Sequence, residues 1–290
     1  MNTFNISRFW NVARWDLTIN RSFYTKTAVF IASIISLPVL MKYINILWIR
    51  GISIGREVAD SNMFSEDFVL GQVGFIVFMI PIIMTVLMAY TFHNLLTRQG
   101  RINELTLPAS NLERFLWHTL FTFVGGALLI MASVVVADLM HVLLGWSVAG
   151  QHHFRSLTAA VFSAITEPLS AVGMHSYATA CATTSLLCYG FIHLSIFVLG
   201  NAIVYRHNLP KTVLWLIAIS LVMSVLMGFG VSILVDSDIE LDSIENLLEH
   251  ISTNGVATVA LLTSLAVTAV LWWFIYRFYR RAQITTRRNP

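Results

Sequence analysis

Apolar residues fill this chain in long unbroken runs, and polar residues collect in islands between them. Six runs, 27–47, 69–92, 115–145, 178–205, 213–235 and 256–276, are each long enough to cross a hydrocarbon core of about 30 Å. A membrane β-barrel would instead repeat segments of roughly ten alternating residues. The pattern therefore predicts an all-α polytopic membrane protein with six transmembrane helices, since a helix satisfies its own backbone groups in lipid. Pro38 and Pro81 fall inside the first two runs, where they should kink a membrane helix rather than end it. The third run would be about 46 Å long at 1.5 Å per residue. It must tilt, bend near Gly125 and Gly126, or project from the membrane.

Composition agrees: 57% of the 290 residues are hydrophobic and 11% charged, and the mean hydropathy is +0.73. These values exclude an ordinary soluble domain. A polar and aromatic stretch precedes the first run, and no small-residue cleavage site follows it, so the first span is expected to stay in the mature protein. Basic residues set the direction. With the N-terminus inside, the inner segments hold Arg8, Arg14, Arg21, Lys26, Arg98, Arg101, Arg114, Arg206, Lys211, Arg277, Arg280, Arg281, Arg287 and Arg288, which is 14 of the 18 Lys and Arg. Lys42, Arg50, Arg56 and Arg155 remain outside, so both termini are expected in the cytoplasm. Trp272, Trp273, Tyr276 and Tyr279 form an inner aromatic belt above a basic tail, 277–290. The expected location is a cell (inner) membrane, crossed several times.

Three segments outside the spans carry pattern of their own. Residues 1–26 are expected to form an N-terminal interfacial helix: Phe9, Trp10, Ala13, Leu17 and Tyr24 alternate with Arg8, Arg14 and Arg21 at amphipathic spacing. In the outer segment 236–255, Ile244, Leu247, Leu248 and Ile251 predict a short surface helix, with Asp242 and Glu245 as its capping box. The outer segment 146–177 holds an apolar stretch interrupted by Glu167-Pro168. It is too short to span, and either lies on the surface or re-enters.

The remaining island, 93–114, is the one sizeable inner loop. Ser110 and Glu113 have capping-box spacing: the hydroxyl accepts from the Glu113 amide and the carboxylate reaches back to the Ser110 amide. Pro108 cannot continue a helix from upstream, so the third membrane helix should start near Asn111. Before it, Arg98, Arg101 and Glu104 alternate with Ile102 and Leu105. Either a short amphipathic helix turns its apolar residues to a partner, or a solvated loop merely follows the positive-inside bias.

The run "ELTLPASNLERFLWH" after the second span resembles the membrane subunits (permeases) of type-II ABC exporters, a subset of which carries a similar motif at this place. "FVLGNAIVYRHNLPKTVLWL" is similar to the end of the fourth span and start of the fifth in the same subset, with Gly200, Asn201, Lys211 and Thr212 at the matching positions. The acidic segment before span six departs from the small-residue elements usual there. The resemblance implies that the loop between spans two and three docks on a separate ATPase, which binds ATP and magnesium, and that the N-terminal helix rests on the same partner. It further implies pairing with a second permease subunit and outward transport. By position, Arg98, Arg101, Ile102, Glu104 and Leu105 would be the ATPase-coupling contacts. An arginine fork suits a partner's carboxylates.

No nucleotide site of its own is expected, because Lys26-Thr27 and Lys211-Thr212 follow Thr25 and Pro210 rather than a phosphate-binding glycine loop. Asp138 and His141 lie three apart on one helix face, either as an outer-interface pair or as a proton or metal site, with His152 and His153 nearby. His193 falls near mid-membrane, facing the bundle or subunit seam, or lining a substrate path. Cys181 and Cys188 sit about 10 Å apart on one helix, and a disulfide needs less than about 7 Å. No catalytic constellation, cofactor, metal or nucleic-acid partner is expected in this chain. The rival to transport is a multi-span sensor or assembly protein. A secondary transporter would need repeat symmetry, which the chain does not display.

Overall fold

Regular structure is helical throughout, with no strand among the described residues. The computed structural model describes residues 4–51, 66–96, 98–149, 156–171, 177–203, 210–215, 217 and 253–284. Helix α1 (Ile6–Ile19) begins where the Asn5 side chain accepts from the Ser7 and Arg8 amides, an N-cap that the sequence provides locally. It ends at Asn20, and α2 (Arg21–Gly51) follows at once. The interfacial helix expected within 1–26 is thus broken at Asn20: the first spanning helix starts at Arg21, ahead of residue 27. Next come α3 (Glu66–Ala89), a 3-10 turn at His93–Leu96, and α4 (Arg98–Leu105). Pro38 in α2 and Pro81 in α3 are both carried inside their helices.

The third apolar run is built as α5 (Asn111–Leu120), a wide π-helical turn at Phe121–Gly125, and α6 (Gly126–Ala149). The irregularity falls beside the glycine pair where a bend was one of three expected solutions. Gly126 also lets α6 approach α3: a Cβ there would sit 3.0 Å from Leu87 Cδ1. Helix α7 (Leu157–Ala171) passes through Pro168, so Glu167-Pro168 does not interrupt it. Helices α8 (Tyr177–Ile203) and α9 (Thr253–Ile284) complete the described elements.

Five helices among the described residues are long and apolar enough to cross a membrane, within Arg21–Asn45, Val69–Ala89, Asn111–Ser147, Thr183–Ile203 and Ala257–Arg281. The chain is an all-helical, multi-pass membrane protein by that measure. The run expected at 213–235 lies outside the described residues apart from 213–215 and 217, and the surface helix expected at 242–251 lies wholly outside them.

The chain folds as two compact units. The first comprises Met1–Leu87 and Leu107–Ala171. Its core is a set of helix stripes with spacings of three, four and seven: Ile31, Ile35, Val39 and Tyr43 from α2; Val69, Val73, Ile76 and Ile83 from α3; Ile130, Val134 and Ala137 from α6. Leu157, Ala160 and Val161 of α7 close it. The second unit comprises Met88–Thr106 and Val172–Pro290, with α8 and α9 as its main pair. Trp272 stacks on Phe191 at 5.6 Å and donates its indole N–H to Ser195 Oγ at 3.0 Å. Asn201 fastens α8 to the end of α3, accepting from the Phe92 amide at 3.1 Å and donating to the Ala89 carbonyl. Beside it, the Thr212 side chain occupies the space that a Cβ on Gly200 would need.

Gly200→Ala should therefore overpack this contact and cost roughly 1–3 kcal/mol. Thermal unfolding of the purified chain in detergent checks it. The loss should shrink in a Thr212→Ala background, and additive losses in the double-mutant cycle would refute the contact.

Candidate functional site

Two polar assemblies hold the segments expected to meet a partner. The first sits at the start of α5. Ser110 caps the helix, its hydroxyl accepting from the Glu113 amide at 3.2 Å, and Glu113 Oε2 accepts from the Ser110 amide at 2.8 Å. The predicted capping box is present. The other carboxylate oxygen does more than local sequence implies: Oε1 accepts from the Asn5 amide at 2.8 Å and from Arg8 Nε and Nη2 at 3.2 and 3.0 Å. Glu113 is fully buried while Arg8 stays partly exposed. A cap thus doubles as the anchor for the head of α1.

A second carboxylate repeats the device along α1. Asp16, with no exposed surface, accepts from Trp117 Nε1 at 2.8 Å, Tyr24 Oη at 2.5 Å and Asn20 Nδ2 at 2.6 Å. Val12 and Ala13 pack on Trp117 beside it, with Phe9 and Phe121 at the margin. On the neighbouring side of α1, Ile6, Trp10 and Leu17 remain exposed and Arg14 flanks them, the profile of a helix resting in a membrane interface.

The other assembly builds α4. Its apolar residues Ile102 and Leu105 are both 43% exposed, whereas Glu104 is buried and accepts from Tyr279 Oη of α9. Tyr279 in turn packs on Phe92 with ring centroids 4.8 Å apart. Arg101 Nη1 donates back to the Leu95 carbonyl at 3.1 Å, and Gln99 Nε2 donates to Asn103 Oδ1 at 2.9 Å on the exposed side. Arg98 is the first residue of the helix. Of the five residues assigned to coupling, Ile102 and Leu105 form the outward stripe. Glu104 faces inward and holds the helix in place, so it offers a partner no carboxylate. Arg101 is turned toward its own chain.

The intramembrane candidates separate. Asp138 is the N-terminal anchor of α7: its carboxylate accepts from Ser156 Oγ at 2.6 Å and from the Leu157 and Thr158 amides at 2.9 and 3.1 Å. His141 is buried against Tyr43, whose hydroxyl lies 2.9 Å from the His141 carbonyl and 3.1 Å from its Nδ1. Asp138 and His141 thus serve different neighbours, and no group of three or more His, Cys, Asp or Glu able to hold a metal occurs among the described residues. His152 and His153 lie outside them. His193 lies on an exposed face of α8, edge-on to Phe197 at 5.3 Å. Cys181 and Cys188 are both free thiols.

Sequence reasoning missed Asp16 and Asn5, and placed Tyr279 only in the interface belt. Asp16 carried a usable signal, an acid on the apolar side of an amphipathic pattern. Family models, curated proteins and solved structures compared with this chain give no match.

Two outcomes follow from the carboxylates. Glu113→Ala leaves the Asn5 and Ser110 amides and Arg8 without their acceptor, at a cost of roughly 1–3 kcal/mol. Limited proteolysis should then cut within α1 before any other helix, and an unchanged cleavage pattern would contradict the anchoring role. Tyr279→Phe keeps the ring on Phe92 but removes the hydroxyl that holds Glu104. Losing a hydrogen bond to a charged group, about 1.5–3 kcal/mol, should speed amide exchange in α4 about tenfold or more. Hydrogen–deuterium exchange measures it.

Proposed function

We propose that this chain is the transmembrane subunit of an ATP-binding cassette exporter. A separate ATPase subunit binds ATP and magnesium, and this chain couples ATP hydrolysis there to outward movement of a substrate. In this proposal α4 is the coupling helix, the two termini and α4 share the cytoplasm, the membrane is a bacterial inner membrane, and a second permease subunit, the same or related, completes the pathway.

The observation that carries the proposal is the two-sided construction of α4. Two apolar side chains, Ile102 and Leu105, stand on its exposed side, while Glu104 and Arg101 brace its other side within the chain. A loop that merely collected positive charge would need neither the brace nor the stripe. A short helix that must transmit force needs both: an apolar surface to seat in a groove and a fixed attachment to a spanning helix. The anchoring of α1 by Glu113 and Asp16 supports the same division, since it fixes a second element beside the start of a spanning helix. The resemblance of 104–118 and 197–216 to type-II ABC exporter permeases supports an ABC-type ATPase as that partner.

Ile102→Glu combined with Leu105→Glu removes the stripe without touching the brace. Burying each such side chain contributes about 1.5–3 kcal/mol, so ATPase retained on the tagged chain should fall at least about tenfold. Quantitative co-purification from native membranes reads this out. Undiminished retention would end the assignment of α4. Absence of any P-loop ATPase from wild-type preparations would favour a sensor or assembly protein instead. A membrane-impermeant maleimide should label Asn103→Cys only in opened cells, and labelling in intact cells would reverse the topology.

A further inference from the structure

The last turns of α9 carry a cleft that none of the interactions above uses. Trp273, Tyr276, Arg277, Arg280 and Arg281 line a space of about 470 Å³ on one side of the helix. Successive spacings of three and four put these residues on one face, opposite the side where Ile275 and Tyr279 are buried. The arginines are set on aromatic rings: the Arg277 guanidinium carbon lies 5.0 Å from the Trp273 ring centre, and that of Arg280 lies 5.9 Å from Tyr276. Rings under guanidinium planes hold the forks in place and leave their N–H edges free to meet an anion. Among the described residues neither Arg277 nor Arg280 has a carboxylate partner.

We infer that this cleft binds the phosphate of an anionic phospholipid at the membrane surface, independently of any transport role. Guanidinium forks match a phosphodiester, and tryptophan and tyrosine settle at headgroup depth. Phosphate chemistry alone would serve a free anion equally well. What selects a lipid is the continuation of the same face toward the membrane core, where Val270 and Leu262 are both exposed and apolar. A headgroup held by the arginines would lay its acyl chains along that strip. Arg287 and Arg288 add positive charge further along the chain.

The test uses the full-length chain, delipidated in detergent and examined by native mass spectrometry with phosphatidylglycerol, phosphatidylcholine of the same acyl chains, or inorganic phosphate. Wild type should retain phosphatidylglycerol over phosphatidylcholine. Each arginine near an anionic surface contributes roughly fivefold, so Arg277→Gln with Arg280→Gln should weaken retention roughly twenty-fivefold. Lysine at both positions should restore part of it, because charge returns without the fork. Trp273→Leu leaves both charges and the packed face intact, and should weaken binding roughly twofold to fivefold. It carries the test should the double variant not fold. Equal retention by wild type and these variants, or of phosphatidylcholine, would overturn the site. Displacement of the lipid by excess inorganic phosphate would make the ligand a free anion and overturn the lipid assignment.

Discussion

A buried carboxylate is tolerable only when its oxygens are met, and Glu113 meets that demand by dividing its two oxygens between two segments. Oε2 closes the first turn of α5 on the Ser110 amide, and Oε1 takes the Asn5 amide and the Arg8 fork. Because the same group does both, the start of a spanning helix and the head of α1 are fixed together. Asp16 then secures α1 further along through Trp117, Tyr24 and Asn20. An amphipathic helix of this length would be marginal alone in water. Two desolvated acids, with the packing of Val12 and Ala13 on Trp117, give it a single place.

How much of this was legible in the sequence depends on how far each partner lies along the chain. The Ser110–Glu113 cap, the two prolines carried inside helices and the apolar spans are local, and each follows from spacing alone. The break at Asn20 is not, because the amphipathic pattern runs smoothly through it. Glu104 illustrates the harder case. Its neighbours made it look like part of a charged surface, yet its hydroxyl partner is Tyr279, far along the chain and itself read as an interface aromatic. Asp138 and His141 were legible only in part. Their spacing brings the two side chains near enough to interact, but Asp138 also meets the first amides of α7 and His141 meets Tyr43, and helix periodicity contains neither of those neighbours.

The same acids explain why charged residues occur so near apolar helices. Asp16, Asp138 and Glu113 each accept from backbone amides or from side chains that would otherwise lack an acceptor at an apolar boundary. Asp138 in particular meets the first amides of α7 from a neighbouring spanning helix, adding a directional anchor to the packing of Leu157, Ala160 and Val161. Glu104 belongs to the same class, with a tyrosine as donor. In each case the acid adds a directional hydrogen bond to elements that apolar packing also joins.

The wide turn at Phe121–Gly125 accommodates roughly one residue more than an α-helical turn. Below it, Trp117 must face α1; above it, Ile130, Val134 and Ala137 must face α2 and α3. Each residue in an α-helix turns the next side chain by about 100°, so one extra residue shifts the register of everything beyond it by about that much. The insertion acts as a fixed phase offset, so the lower half of this long helix presents its contact stripe to α1 while the upper half presents a differently turned one to α2 and α3.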